Sequence, residues 1–365
     1  MPDKTAVSSL PSVKIETEKN PLFTLYMPAS LGEICQGIYQ GQEKLASYAI
    51  NLFNQMIFYP GKLPDTDRDL KPANYQGKSL QESKSSGSPR IYYYRTMPAS
   101  KKSNHNTFTA DAASNLQTVA SCMPDKLLQL YNFICQQKDP GQLPREFSIV
   151  HISRIPLGRG MGSSTADLAL LAAGLKKLSS QQYEPDWLAE ILPAIEPTDS
   201  TFFPEITIYE QNAGSCWHKL GNLQQKTQLR VLALGQPGNE DTLASRRSRS
   251  KPPQLSECFS LLEEAVKQND IALLSRAATC SSRSWLKRLD YPGLEEIIDE
   301  ASQNYVCEGV NIAHSGNVIG VIYLPGKANI AGLRSFLDRR GLSVFYPQQQ
   351  KYKIIAGGIR EIQGV

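Results

Sequence analysis

The chain has 365 residues, 41% of them hydrophobic and 20% charged, and its 39 basic and 35 acidic side chains leave a formal net charge of +4 at pH 7. This is a globular composition with enough apolar material for two lobes sharing a core, and so even a charge balance excludes the basic excess expected of a nucleic-acid partner. No apolar run approaches the roughly 18 residues of a spanning helix, so no membrane role is expected.

Residues 1–21 read as a loose polar lead without the continuous apolar region of a signal peptide. The run 22–29 (LFTLYMPA) has the composition of a strand, and 30–37 (SLGEICQG) reads as a turn ending in a second strand-like stretch. Residues 45–59 supply one or two further strands. From about 60 to 121 the chain is rich in Lys, Ser, Pro, Asn and Gln. Stretches such as KSLQESKSSGSP bury too little apolar surface to offset the entropy of ordering, which predicts an exposed insertion. Within it, 90–96 (RIYYYRT) is a strand-like island whose aromatics either pack on a sheet or stack on a base. Leu127, Leu130, Tyr131 and Ile134 form a helical stripe over 124–138.

The stretch 146–155 (EFSIVHISRI) is an apolar, β-branched strand, and 163–178 is a helix with leucines at 168, 171, 175 and 178. The turn between them carries Gly158, Gly160 and Gly162, which let backbone approach a ligand closely, before Ser163, Ser164 and Thr165 open the helix. The unpaired N–H groups and positive dipole end of such a helix suit a phosphate. The spacing is neither that of the Lys-bearing phosphate loop GxxxxGK[ST] nor that of the dinucleotide GxGxxG.

A proline-interrupted helix over 187–195 delivers Glu196 and Asp199 in the string EPTDSTFF. Two carboxylates three residues apart beside a helix end can hold a magnesium ion and take a proton, or simply form a turn that faces water. Strands follow at 206–210 and 229–234, with a loop at 212–216. The run 246–251 (RRSRSK) is either a phosphate or nucleic-acid site or, as is commoner for one short run in a near-neutral chain, a solvated loop. Helices over 255–267, 271–286 and 294–304 precede a glycine-bearing hairpin at 309–324, and a helix over 330–340 and strands at 343–346 and 352–356 complete an α+β pattern. Seven cysteines at 35, 122, 135, 216, 258, 280 and 307, without CxxC spacing, predict buried free thiols in a reducing cytoplasm, not a disulfide framework or a zinc site.

Three strings in this order resemble the GHMP kinases. Residues 156–164 (PLGRGMGSS) are similar to that family's phosphate loop, P-x-x-x-G-L-G-S-S-A. Pro28, Gly32 and Glu33 match its opening motif, with Ser30 where the mevalonate-kinase form has Lys and Ile34 where it has His. The segment 309–320 resembles its third motif, thinned to Gly316 and Gly320. The fuller strings at 28–37 and 196–203, and the A-H-S-G form at 313–316, are most similar to the family's threonine-kinase branch, which serves cobalamin biosynthesis.

The resemblance covers 22–365 and implies an α+β fold of the GHMP kinase type. Its ribosomal-S5-like N-terminal lobe would span 22–225 and its ferredoxin-like C-terminal lobe 226–365, with ATP in the cleft. It also implies transfer of the γ-phosphoryl group to a small amino-acid hydroxyl, that of threonine or alternatively homoserine. A non-catalytic ATP-binding regulator is the rival from another class, and Asp199 argues against it. On this resemblance Pro156, Gly158, Arg159, Gly160, Gly162, Ser163, Ser164 and Thr165 hold the phosphates, Arg159 either adding charge over them or facing solvent. Ser164 and Glu196 hold Mg²⁺, and Asp199 accepts the hydroxyl proton. Ser30, Gly32, Glu33, His314, Ser315 and Gly316 belong to the substrate side, with His314 alternatively a hydrogen-bonded core histidine. The expected assembly is a monomer or a homodimer.

Overall fold

The computed structural model describes residues 19–63, 89–98, 116–121, 123–137, 142–224, 228–237 and 251–363, of which 96–98, 116–120 and 363 by backbone alone. Most of the lead, the insertion outside 60–63, 89–98 and 116–121, and the basic run 246–250 lie outside the described residues.

Two long strands organise the molecule. β1 (Phe23–Tyr39) and β2 (Gln42–Pro60) form a hairpin closed by Gln40 and Gly41, at φ 53° and 79°. Two positive φ values fit a two-residue turn to the twist of its strands. The turn expected at 30–37 is instead continuous with β1. The register against β2 shifts between Pro28 and Ala29, between Ser30 and Glu33 and between Glu33 and Cys35, with Gly32 at φ 68°. Bulges bend a strand and re-aim its side chains without ending it, so a local reading takes the bend for a turn.

β3 (Arg90–Pro98) runs parallel to β5 (Glu146–Ile152), which pairs antiparallel with β2, and β4 (Leu116–Ala120) lies outside β3. The aromatic island is therefore a sheet strand, with Tyr93 and Tyr94 buried. α1 (Asp125–Cys135) packs on α2 (Ser163–Leu178), which lies over β1 and β2. Burial of α2 extends well beyond the leucine stripe to Ala166, Ala169, Ala172, Ala173 and Gly174, as expected of a helix that is apolar all round. Small residues bring it close to the sheet: a Cβ at Gly174 would lie 2.0 Å from the Phe58 ring of β2. α3 (Pro185–Ile191) gives way to a 3₁₀ turn, Leu192–Ala194, at Pro193, which has no N–H to continue the helix. β6 (Ile206–Tyr209) then pairs with β2 and β7 (Trp217–Gly221).

The C-terminal half adds β8 (Arg230–Gly235), α4 (Ser256–Gln268), α5 (Ile271–Trp285), α6 (Leu294–Gln303), β9 (Gly309–Ile312), β10 (Val318–Tyr323), α7 (Ile330–Arg339), β11 (Gln348–Ile355) and β12 (Arg360–Gln363). Its antiparallel order β9-β10-β8-β11 joins the first half at both ends, through Glu33 opposite Ile312 and through Ile354 and Ile355 opposite Ile50 and Ala49. The strand expected at 343–346 is a 3₁₀ turn, Leu342–Val344, which leads to the buried Tyr346.

Asp270 caps α5 by accepting from the N–H groups of Ala272 and Leu273, so α4 and α5 form a tight helical hairpin. That hairpin corrects the expectation of free thiols throughout: Cys258 and Cys280, 22 residues apart, are joined as a disulfide, while Cys35, Cys135, Cys216 and Cys307 are free. Among the described residues no helix is long and apolar enough to cross a membrane.

Candidate active site

The turn between β5 and α2 holds its shape through glycine. Gly158, Gly160 and Gly162 all have φ near 70°, at 66°, 72° and 71°, a left-handed region costly for any residue with a Cβ. Two distant segments then pack backbone against backbone on this loop. From β1, the N–H of Ser30 donates to Met161 O at 3.1 Å and that of Gly32 to Gly160 O at 3.3 Å; from the β9–β10 turn, the N–H of Asn317 donates to Arg159 O at 3.3 Å. A Cβ at Gly316 would lie 2.2 Å from the Arg159 carbonyl and the Gly160 nitrogen, which leaves room for glycine alone. Three strings more than 100 residues apart in the chain thus meet at one loop.

A cavity of about 480 Å³ opens over this loop, lined by residues 156–165 together with Glu33, Lys126, Glu196, Asp199 and Ser315. Ser30, Gly32, His314 and Gly316 do not line it. Ser30 and Gly32 hydrogen-bond to the loop backbone and Gly316 packs against it. His314 is completely buried: its backbone N–H and its Nδ1 contact Glu33 Oε2 at 2.9 and 2.7 Å, and the Trp285 ring meets its imidazole edge-on at 4.9 Å. The core reading of His314 is the one the structure shows, and its visible task is to fix the Glu33 carboxylate. Arg159 belongs to the cavity lining but does not face solvent. Its side chain is 1% exposed and its guanidinium turns away to the carbonyl of Gln236 and to Asn317 Oδ1.

Asp199 follows the 3₁₀ turn and reaches the loop from below; its Oδ2 would be 3.5 Å from a Cβ at Gly162. Its backbone N–H donates to Thr165 Oγ1 at 3.0 Å, and its Oδ1 accepts from the N–H of Thr201 at 3.3 Å, which ties the segment to the first turn of α2. Burial pushes the Asp199 carboxyl up to about 6, the negative charge of Glu33 adds to this, and the hydroxyls of Ser30 and Ser47 and the N–H of Ser200 hold it back. A carboxylate of that strength is ionised at neutral pH and can still accept a proton.

Glu196, three residues earlier, is buried and hydrogen-bonded by the Ser164 hydroxyl, while Lys126 closes a salt bridge to its other oxygen and stands 3.5 Å from Ser164 Oγ. Lys126 was invisible to the sequence reading because its neighbours define only an apolar stripe. Asp167 and His151 are a further pair at the cavity, joined at 2.9 Å, with Tyr93 Oη 2.5 Å from His151 Nδ1 and the Asn54 amide donating to Asp167 at 2.6 Å. No local spacing links these four residues, which lie on β3, β2, β5 and α2.

The residues fit a magnesium nucleotide. No side chain caps α2, and the N–H groups of its first turn, which have no partner within a helix, belong to residues that line the cavity. Ser163 Oγ is buried there without a protein partner. Ser164 and Glu196 form a hard, all-oxygen pair of the kind Mg²⁺ takes when phosphates and water complete its shell. Among the described residues no cluster of three or more His, Cys, Asp or Glu could hold a metal by itself.

Residues 125–203 match the family model described as GHMP kinases N terminal domain. The chain is 25% identical over 341 residues to an L-threonine kinase of Citrobacter freundii, covering 91% of this chain and 97% of that one. Its fold is similar to that of mevalonate diphosphate decarboxylase from Staphylococcus aureus, with a TM-score of 0.57 at 11% identity over 94% of this chain and 98% of that one. It is similar also to mevalonate kinase from Methanococcus jannaschii, with a TM-score of 0.54 at 11% identity over 91% and 98% of the two chains.

Proposed function

We infer, from a chain that carries the GHMP kinase fold and the N-terminal domain of that family, that this phosphotransferase moves the γ-phosphoryl group of ATP to the side-chain hydroxyl of L-threonine. The observation that carries the reading is the position of Asp199: a buried carboxyl at about 6, beside the phosphate loop and next to Glu33. The relationship to a threonine kinase supports the choice of substrate, as do the strings at 28–37 and 196–203.

Phosphoryl transfer asks a protein mainly for positioning and charge neutralisation, because its loose transition state needs little covalent help. The loop backbone from Gly158 to Ser164 and the first turn of α2 would hold the phosphates. Ser164 and Glu196 would hold Mg²⁺, which when bound neutralises charge on the phosphate oxygens. Asp199 takes the proton from the threonine hydroxyl as the new O–P bond forms and the bond from the γ-phosphorus to the bridging oxygen breaks, leaving ADP and O-phospho-L-threonine. Glu33, aimed by His314, puts a negative charge at the same cavity, which suits the ammonium group of an amino acid. The motif resemblance further supports placing the product in the aminopropanol arm of cobalamin biosynthesis, in the cytoplasm.

The test is ATP consumption across a panel of hydroxyl amino acids, with mass detection of the product. Threonine as the preferred acceptor is the expected result. Preference for homoserine would move the assignment to that kinase, and no turnover with any acceptor would leave an ATP-binding regulator.

A further inference from the structure

We propose that Lys126 is a switching cation of the phosphate site: its ammonium neutralises Glu196 in the nucleotide-free protein and passes to the phosphate oxygens of the nucleotide when Glu196 is given over to Mg²⁺. The proposal rests on reading the cavity as a magnesium nucleotide site.

Three observations carry it. Lys126 bridges the two residues assigned to the metal, pairing with Glu196 Oε2 and standing 3.5 Å from Ser164 Oγ. The Glu196 side chain is 6% exposed and that of Lys126 42%. A buried carboxylate facing a phosphate cradle needs a counter-charge, whereas a half-exposed lysine on a flexible four-carbon stem can change partners cheaply. Lys126 also lines the cavity over the phosphate loop, so the nucleotide's phosphates come within its reach. An ammonium and a divalent cation cannot share Glu196 and Ser164 without strong repulsion, so Lys126 moves to the nearest strong anion.

Other charges at the cavity do not replace it. Asp125 and Asp167 are acidic and would repel the phosphates, Arg159 is turned inward to Gln236 and Asn317, and Arg95, a second cation lining the cavity, stands on β3 opposite His151 while the contacts to Glu196 and Ser164 are made by Lys126. Lys126 on Glu196 therefore keeps an uncompensated carboxylate from facing an incoming triphosphate.

Calorimetric titration of ATP into wild type, Lys126→Met and Lys126→Arg, once in EDTA and once across a MgCl₂ series, tests this, with circular dichroism and a thermal midpoint as folding controls. Lys126→Met should weaken metal-free ATP binding by about tenfold or more, the usual worth of a charge-assisted contact. It should at the same time lower the Mg²⁺ concentration needed for half-maximal ATP affinity, because Glu196 has lost its competitor. Lys126→Arg should restore metal-free binding. Should the Met variant not fold, Lys126→Gln serves as the neutral variant. A neutral variant with unchanged metal-free affinity, or with an unchanged or higher Mg²⁺ requirement, makes Lys126 a structural counter-ion of Glu196 and overturns the proposal alone. A wild type that binds no ATP at any Mg²⁺ concentration overturns the site assignment along with it.

Discussion

Asp199 combines two costs that act in opposite directions on activity and stability. Its carboxyl sits near 6 and not near 3.8, because burial and the Glu33 charge disfavour ionisation. In the proposed role of proton acceptor it must be ionised, so kcat/KM should rise with pH through about 6 and level off above it. Asp199→Asn should flatten that limb and lower turnover by about 10²- to 10⁴-fold, with ATP affinity close to wild type. For stability the sign is reversed. Folded Asp199 binds its proton more tightly than unfolded Asp199, so its contribution falls as pH rises from 3.8 to about 6, at about 1.4 kcal/mol per pKa unit. The Asn variant should therefore melt higher than wild type, by a margin that is larger at pH 8 than at pH 5. Equal melting at both values would show that the carboxylate is well solvated and its titration ordinary. The spacing of Glu196 and Asp199 was visible in sequence; the raised pKa was not, because it comes first from burial by the folded chain and then from the charge of Glu33, 166 positions away in the chain.

At the scale of elements, α2 shows how packing overrides propensity. Gly174 in mid-helix costs about 1 kcal/mol relative to alanine in an isolated helix. Here a Cβ would lie 2.0 Å from the Phe58 Cζ and 2.6 Å from its neighbours, against a ring that is itself fully buried. Overpacking of this kind costs about 1–3 kcal/mol, so Gly174→Ala should destabilise despite its better propensity. Pairing it with Phe58→Leu should return part of the loss, as urea unfolding of the single and double variants would reveal. A stabilised Gly174→Ala protein would mean that α2 can ride away from β2. The same competition explains which elements were legible. Helices with clear apolar stripes, such as those at 255–267 and 294–304, were visible because their period of 3.6 is written locally. β4, β7 and β12 were missed: β7 is partly exposed and β12 is four residues long, so both are strands by virtue of the partner they pair with. The bulges in β1 hid its continuity for the same reason.

At the scale of the whole molecule, the C-terminus closes the sheet. β12 covers the edge of β1 from Phe23 to Tyr26, with the Arg360 guanidinium 4.9 Å from the centre of the Phe53 ring and Glu361 paired to Lys177 at 2.9 Å. An uncovered strand edge is a template for further pairing. Truncation before Arg360 should lower stability by about 1–3 kcal/mol and favour aggregation on heating. ATP affinity should hold, because the loop contacts β1 further along, at Ser30 and Gly32. Loss of ATP binding with an unchanged melting temperature would contradict this division between an edge that stabilises and a bend that positions.

The sequence alone determined the three glycine-bearing strings, the family resemblance they carry, the acidic pair at 196 and 199 and most of the helices, since each is recorded in residue type and short spacing. Only the tertiary structure decided that Glu33 and Asp199 share a cavity, that Lys126 meets Glu196 and Ser164, that His314 and Arg159 face inward and that Cys258 meets Cys280. The physical reason is range: periodicity and backbone conformation act over a few residues, whereas charge, burial and bonding partners are set by neighbours that packing brings from distant parts of the chain.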